Sequence, residues 1–342
     1  MGLYDILFTV LLTESGILGA GLSLMFGHAA FRQLRAARLH AAVAVSRDIL
    51  ARVLAGARDV PALPKLPLDK TVESMAEAAR SIDSDGRARL AELPAYGLLL
   101  QRATRWCRSR SWSRRLKAVR MLIILGAGED LVPRLLEDPR PEVRAAAAAW
   151  TASHPGTDVV LRLVQMLSDD ALSCRLTAQS TLIRLGRHSV PAIIADLAGS
   201  DPQAPATTLN VGARLNDPEL LGPALAYRCH ADPEVRAAVA RVIASSGGAG
   251  AVRTLESFLA DPAPEVRARA ATGLAGLGHW PSVPLLAAKL VDPAWEVRRA
   301  AGIALDRLGG PGRLYLQRAL TSTDQFARDM ARQVLDLPGP AR

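Results

Sequence analysis

Aromatic residues make up only 4% of this 342-residue chain, and cysteine occurs three times, at Cys107, Cys174 and Cys229. The aromatic shortage favours Ala/Leu helix packing over a platform that stacks bases. Three scattered cysteines, an odd number, suggest no disulfide framework, and a reducing compartment is the simpler reading. Acidic residues are outnumbered, 33 against 42 lysines and arginines, which leaves a formal charge of +9. That balance directs attention to an anionic partner: lipid, acidic protein or nucleic acid. Arginine far outnumbers lysine, a usage typical of GC-rich bacterial genomes. Catalytic signatures are missing too. There is no His-Glu-x-x-His, Cys-x-x-Cys, nucleophile elbow or phosphate loop. His154, His188 and His279 fall near helix ends, where a cation suits the dipole, and Cys229-His230 is a lone pair in a turn. No catalytic residue, metal ligand or cofactor is therefore assigned, and an enzyme is not expected.

What the chain does have is repetition. Asp138 opens DPRPEVRAAAAAW, Asp232 opens DPEVRAAVARVIA, Asp261 opens DPAPEVRARAATGLAGLG and Asp292 opens DPAWEVRRAAGIALDRLG. With the arginine as marker, Arg144, Arg236, Arg267 and Arg298 define a period of about 31 residues. Arg175 and Ala206 fill the gap between the first two, Arg115 precedes the series and Arg328 follows it. The unit at Ala206 has lost its arginine, which marks a bend or an adapted surface. Each unit reads as two short helices around an Asp-Pro turn, with Pro at a helix start and Gly at a helix end. One such hairpin cannot bury its apolar face, whereas stacked copies share a core. Asp138, Asp169, Asp232, Asp261 and Asp292 are expected to cap helix starts, and Arg144, Arg175, Arg236, Arg267 and Arg298 to bridge successive units as a structural ladder.

The pattern D-P-x-x-x-V-R-x-x-A-A-x-x-L-x-x-L-G resembles HEAT repeats, particularly the short kind, roughly 30 residues long, also found in phycobilin lyases. The resemblance spans about residues 95 to 337. It implies a scaffold or adaptor that presents a binding surface to a protein partner, with a lyase-like enzyme as a minor alternative.

The N-terminus reads differently. From Ile6 to Phe31 the only formal charge is Glu14, long enough as a helix to exceed a ~30 Å hydrocarbon core. A single transmembrane helix is expected over residues 1–31. Arg32, Arg35 and Arg38 follow it and no basic residue precedes it, so the positive-inside rule places the chain in a bacterial inner membrane, N-terminus outside and solenoid in the cytoplasm. Ser15, Gly19, Ser23 and Gly27 recur every four residues and, with Glu14, form a face for a membrane-helix partner. Residues 32–68 read as a basic juxtamembrane helix and a spacer with Pro61, Pro64 and Pro67 at the polyproline II period. Residues 69–94 form a helical adaptor, 95–337 the repeats and 338–342 a tail. Within the adaptor, Asp83, Asp85, Gly86 and Glu92 fall on calcium-loop positions, but Ser81 replaces the first aspartate, so a turn and a capped helix are expected.

The densest charge lies in QRATRWCRSRSWSRRLKAVR. Arg102, Arg105, Arg108, Arg110, Arg114 and Arg115, with Lys117 and Arg120, accompany Trp106 and Trp112 without one acid. With Arg32, Arg35 and Arg38 they are candidates for anionic lipid headgroups or a partner surface. Nucleic acid or a nucleotide is the alternative reading, disfavoured by the expected anchor. The expected fold class is all-α: a right-handed α-solenoid of about eight HEAT-like hairpins preceded by one transmembrane helix. The expected function is a membrane-anchored scaffold that docks or regulates an integral membrane enzyme or transporter.

Overall fold

The computed structural model describes residues 3–57, 61–78, 84–199, 204–248 and 250–336, and every regular element among them is helical. Two compact units divide the chain, Met1–Gly128 and Glu129–Arg342.

The first unit contains α1 (Leu3–Leu54), α2 (Leu68–Ala78), α3 (Ser84–Ala91), α4 (Pro94–Cys107) and α5 (Trp112–Leu125). Ile49, Leu50 and Val53 on the last turns of α1 are buried, as are Met75 of α2 and Leu90 of α3, which pack against that helix. The Arg89 guanidinium donates to the Leu54 carbonyl, supplying a cation where a helix leaves its last carbonyls unpaired. Helices α4 and α5 pair as a hairpin. Gly126, at φ 63°, lets the chain turn left-handed at the end of α5, a conformation that costs a side-chain-bearing residue more than glycine.

The N-terminal expectation requires correction. No helix among the described residues is long and apolar enough to cross a membrane. This overturns the transmembrane helix, the inner-membrane location and the orientation derived from it. The physical reason lies in how the segment continues. Helix α1 runs unbroken to Leu54 and carries Arg32, Arg35, Arg38, Arg47, Asp48 and Arg52 along the way, each costly to remove from water. Of the proposed small-residue face, the side chains of Glu14, Ser15 and Ser23, and the position of Gly19, lie outside the described side chains; Gly27 has open space where a Cβ would point. The calcium-loop positions Ser81 and Asp83 also lie outside the described residues, while Gly86 falls inside α3.

The second unit is built from hairpins. Its helices are α6 (Pro141–Thr151), α7 (Thr157–Gln165), α8 (Leu172–Leu185), α9 (Val190–Leu197), α10 (Pro205–Leu215), α11 (Leu221–Ala226), α12 (Pro233–Ser246), α13 (Ala251–Phe258), α14 (Pro264–Gly276), α15 (Val283–Ala288), α16 (Trp295–Arg307), α17 (Gly310–Ala319) and α18 (Gln325–Leu335), with short 3-10 turns between them. The even-numbered helices, each the second of its hairpin, pack side by side in chain order. This is an α-solenoid. The seventh residue of these helices sits at the contact: Ala147, Ala178, Val211, Val239, Ala270, Ala301 and Ala331 are all fully buried. A small side chain there lets neighbouring axes approach at roughly 8–10 Å. Proline opens α6, α10, α12 and α14, where its missing N–H would be unpaired anyway.

Arginine occupies the fourth residue of most second helices. Arg144 reaches Asp169 of the next hairpin with two bonds, 2.8 and 2.7 Å. Arg236 does the same to Asp261 at 2.7 and 2.8 Å, and Arg267 to Asp292 at 2.9 and 2.8 Å. The third nitrogen of each guanidinium turns back to its own inner turn, onto the carbonyls of Asp138, His230 or Asp261. Asp138, Asp169, Asp261 and Asp292 accept the amide two residues ahead, from Arg140, Ala171, Ala263 and Ala294. They hold the turn before the helix, two residues upstream of the N-cap. Asp232 is a true N-cap, accepting from the Glu234 amide at 2.8 Å.

The joint between α10 and α12 lacks this pair on both sides. Thr208 stands fourth in α10, where an arginine is found elsewhere, and its hydroxyl donates to Asp196 at 3.0 Å. His230 stands at the ladder-acid position before α12. Another contact crosses the same joint: Arg241 of α12 donates to the side-chain oxygen of Asn210 on α10. At the last joint Arg298 bonds the Asp292 and Pro293 carbonyls and lies 4.4 Å from the Phe326 ring centroid.

Candidate functional site

The exposed face of the second helices in the second unit carries two adjoining hollows. One, of about 420 Å³, lies over α14 and α16 and is lined by Glu265, Arg269, Trp295, Glu296, Ile303 and Arg307, among others. The other, of about 650 Å³, extends over α8, α10, α12 and α14; its polar lining includes Gln179, Asn210, Arg214, Arg241, Arg269 and Arg307, and it contains no carboxylate. Arg269, Thr272 and Arg307 belong to both hollows. These residues share a face for a geometric reason. Glu265, Arg269, Thr272 and Gly276 follow one another at three- and four-residue spacing along α14, as do Glu296, Ala300, Ile303 and Arg307 along α16, which is the period of a single helical stripe.

The ladder arginines and these groove arginines differ in chemistry. Arg236 and Arg267 are saturated by carboxylates. Arg214, Arg241, Arg269 and Arg307 have no carboxylate within ion-pair distance among the described residues. Burial, and then the charge of Arg269, push the pKa of Arg241 down from its ordinary value, while Glu234 acts weakly in the opposite sense. Two cations thus face one open volume, and Arg241 is bonded there to the Asn210 side-chain oxygen. Trp295 is 53% exposed at the other end, with the Arg299 guanidinium 5.7 Å from its ring centroid.

Elsewhere the sequence candidates are distributed as follows. Arg32, Arg35 and Arg38 lie exposed on α1. Arg102, Arg105, Arg108, Arg110 and Arg114 are exposed on α4, α5 and their connection, while half-buried Arg115 bonds the Ser109 and Arg110 carbonyls. Arg102 lies 5.3 Å from the Trp106 ring centroid, a contact that occupies one of the two tryptophans. Residues Pro61 to Leu68 lie beside α4 and line a hollow of about 550 Å³ with Leu98, Leu99 and Arg102.

Two thiols and two imidazoles are engaged within the scaffold, while Cys229 is exposed. Burial raises the Cys107 pKa to about 11, which leaves it protonated. Cys174 donates to the Pro141 carbonyl, 3.3 Å away. His154 stacks on Trp150 with centroids 4.1 Å apart, and His188 contacts the Leu185 carbonyl at 3.2 Å. A Glu-Ser-His chain does occur: Ser282 donates to Glu256 at 2.6 Å and lies 2.7 Å from His279 Nδ1. Its order is wrong for nucleophilic catalysis. The single hydroxyl proton goes to Glu256, so the imidazole must donate to Ser282 and is not its base. No group of three metal-ligating side chains is found among the described residues.

Sequence reading missed the groove arginines because they occupy different positions in successive units and therefore leave no repeated signature. The signal available was the stripe on each second helix, read separately from the ladder position.

Residues 252–336 match the family model of HEAT repeats. This segment is a HEAT-repeat array. No curated protein matches the chain. Among solved structures, similarity extends to the CpcE–CpcF complex of phycocyanin lyase from Nostoc sp. PCC7120, at 19% identity over 61% of this chain and 94% of that one, with a TM-score of 0.37. Human deoxyhypusine hydroxylase in complex with glycerol is similar at 18% identity over 71% of this chain and 95% of that one, TM-score 0.30. Kap121p bound to Nup53p is similar at 14% identity over 78% of this chain and 41% of that one, TM-score 0.41. At such identities and scores no activity is carried over to the HEAT repeats of this chain.

Proposed function

We propose that this protein is a scaffold whose HEAT-repeat solenoid docks another protein on the face formed by α10, α12, α14 and α16. The observation that carries this reading is the pair of adjoining hollows on that face, with arginines lacking carboxylate partners at one end and an exposed tryptophan at the other. Arg214, Arg269 and Arg307 are exposed and Arg241 is half-buried against Asn210; cations clustered with no carboxylate between them repel one another in the free protein and are relieved by a complementary surface. The odd-numbered helices offer scattered apolar residues such as Leu161 and Leu285 instead, which need no explanation singly. The ladder supports this role by holding successive second helices in register, since a docking face spread over several repeats works only if those repeats keep their spacing.

A photo-reactive side chain placed at Thr272 or Ile303, compared with one at Leu161 or Leu285, tests the reading in cells. Cross-links to a discrete protein from the first pair alone are expected. Cross-links from the second pair alone would contradict it.

An anionic ligand held by the basic stretch from Arg102 to Arg120 is a second reading, favoured by the exposure of those side chains. It predicts binding that weakens steeply with salt and that is lost when Arg105 and Arg114 are changed to glutamate.

A further inference from the structure

Resting on the docking reading, we propose that the occupant of the second-helix groove is an extended acidic segment of a partner protein, carrying an apolar side chain that settles against Trp295 and Ile303.

The larger hollow supplies the acidic preference. Four arginines line it, no carboxylate does, and Gln179, Asn210, Ser245 and Thr272 add neutral hydrogen-bonding groups. Arg241 is fixed in place by Asn210, half-buried, and close enough to Arg269 for the two charges to repel. A guanidinium so held is pre-organised for a carboxylate, which it can grip with two parallel bonds. Carboxylates arriving from outside would supply the counter-charge that the ladder aspartates supply to Arg144, Arg236 and Arg267.

The smaller hollow decides between classes of polyanion. Past the shared Arg269 and Arg307 the lining changes to Ala268, Ala300, Ile303 and Trp295, with Arg299 over the tryptophan ring and Glu265 and Glu296 at the edge. A nucleic acid repeats its negative charge at every step and would bring phosphates against those two glutamates. A peptide places charge where its sequence puts it, so acidic residues can meet the arginines and an apolar one can meet Trp295. The length suits such a segment. From α8 to α16 there are four helix-to-helix steps of roughly 8–10 Å, which an extended chain at about 3.3 Å per residue covers in roughly ten to twelve residues.

The test uses the full chain and a fluorescein-labelled peptide of about twelve residues, rich in glutamate and containing one phenylalanine. Comparison ligands are the same peptide with lysine in place of glutamate, the same peptide without phenylalanine, and a single-stranded oligonucleotide of matched charge. Fluorescence anisotropy should show binding of the acidic peptide that Arg269→Glu and Arg307→Glu each weaken by at least about tenfold. Both residues are exposed, so the variants should retain their helical circular dichroism; Arg307→Gln serves as the milder second variant. Arg318→Glu makes the same charge change on α17, outside the groove, and should leave binding unchanged. Trp295→Ala should weaken the phenylalanine peptide and not its counterpart without phenylalanine. Three results would overturn the proposal: no binding of the acidic peptide, an equal loss from Arg318→Glu, or an oligonucleotide that binds tighter through the same arginines. Failure here with cross-links still confined to Thr272 and Ile303 removes the acidic segment and leaves the docking face. Cross-links confined to Leu161 and Leu285 remove both.

Discussion

Arg236 holds Asp261 across the joint between two hairpins with a two-pronged ion pair, Nε to Oδ2 at 2.7 Å and Nη2 to Oδ1 at 2.8 Å, with side chains 12% and 7% exposed. Removing one partner leaves the other charge buried without compensation. Asp261→Ala is therefore expected to destabilise the α12–α14 joint by about 3 kcal/mol, with part of the loss coming from the turn amide of Ala263. Because repeats couple mainly to their neighbours, the loss should appear as faster amide exchange in α12, α14 and adjoining helices, with little change in α6. Arg236→Lys should lose less, keeping the charge but not the fork.

The ladder also fixes an acid limit. Asp169 is held below its ordinary value of 3.8 mainly by the Arg144 hydrogen bond. For Asp261 and Asp292 burial is the largest influence and acts upward. The arginine hydrogen bonds, turn amides and nearby charges together outweigh it, so both are also lowered. A carboxylate whose folded pKa lies below its unfolded one adds stability that is complete above the unfolded value and lost as pH falls through the folded one. Urea unfolding should therefore show a plateau above about pH 5 and a decline below about pH 4. Asp292→Asn should start less stable and decline less.

Asp196 reverses that sign. Burial raises its pKa, and the Thr208 hydroxyl only partly offsets the shift. The charged form is thus disfavoured by folding, a penalty present at neutral pH and relieved as pH falls through the raised value. Asp196→Asn keeps an acceptor for Thr208 and should stabilise the chain slightly at pH 7. The gain should shrink as pH falls through the raised value and be gone below about pH 4.

How much of this could be read from residues alone depends on whether the feature repeats. Helical hairpins are legible because Asp-Pro, Val-Arg and the buried Ala recur with one period, and each recurrence is the same packing position in the next unit. The unit with Ala206 in place of the marker is legible as deviant, but its cause is not: the structural equivalent is Thr208, two residues on, and the compensating Arg241–Asn210 contact lies outside the repeated phrase. The groove is illegible for the same reason. Arg214, Arg241, Arg269 and Arg307 come from different turns of their helices and meet only when the helices are laid side by side. At the N-terminus, the apolar run reads as a span that ends before Arg32, whereas Arg32, Arg35 and Arg38 belong to the same continuous helix α1.

Close approach at the last hairpin makes one glycine irreplaceable. A Cβ at Gly312 would stand 1.9 Å from the Leu305 carbonyl oxygen, and backbone cannot step aside. Gly312→Ala should cost about 3 kcal/mol or more and loosen α17 and α18 selectively, measurable as protease cleavage after α16 at a lower denaturant concentration than in the unaltered chain.

The docking face itself is tested most directly by hydrogen–deuterium exchange of the full chain, free and covalently held to the protein captured through Thr272. The account predicts slowed exchange concentrated in α10, α12, α14 and α16, with α11, α13 and α15 unchanged. Slowed exchange confined to α11, α13 and α15, or no change anywhere in the second unit, would contradict it.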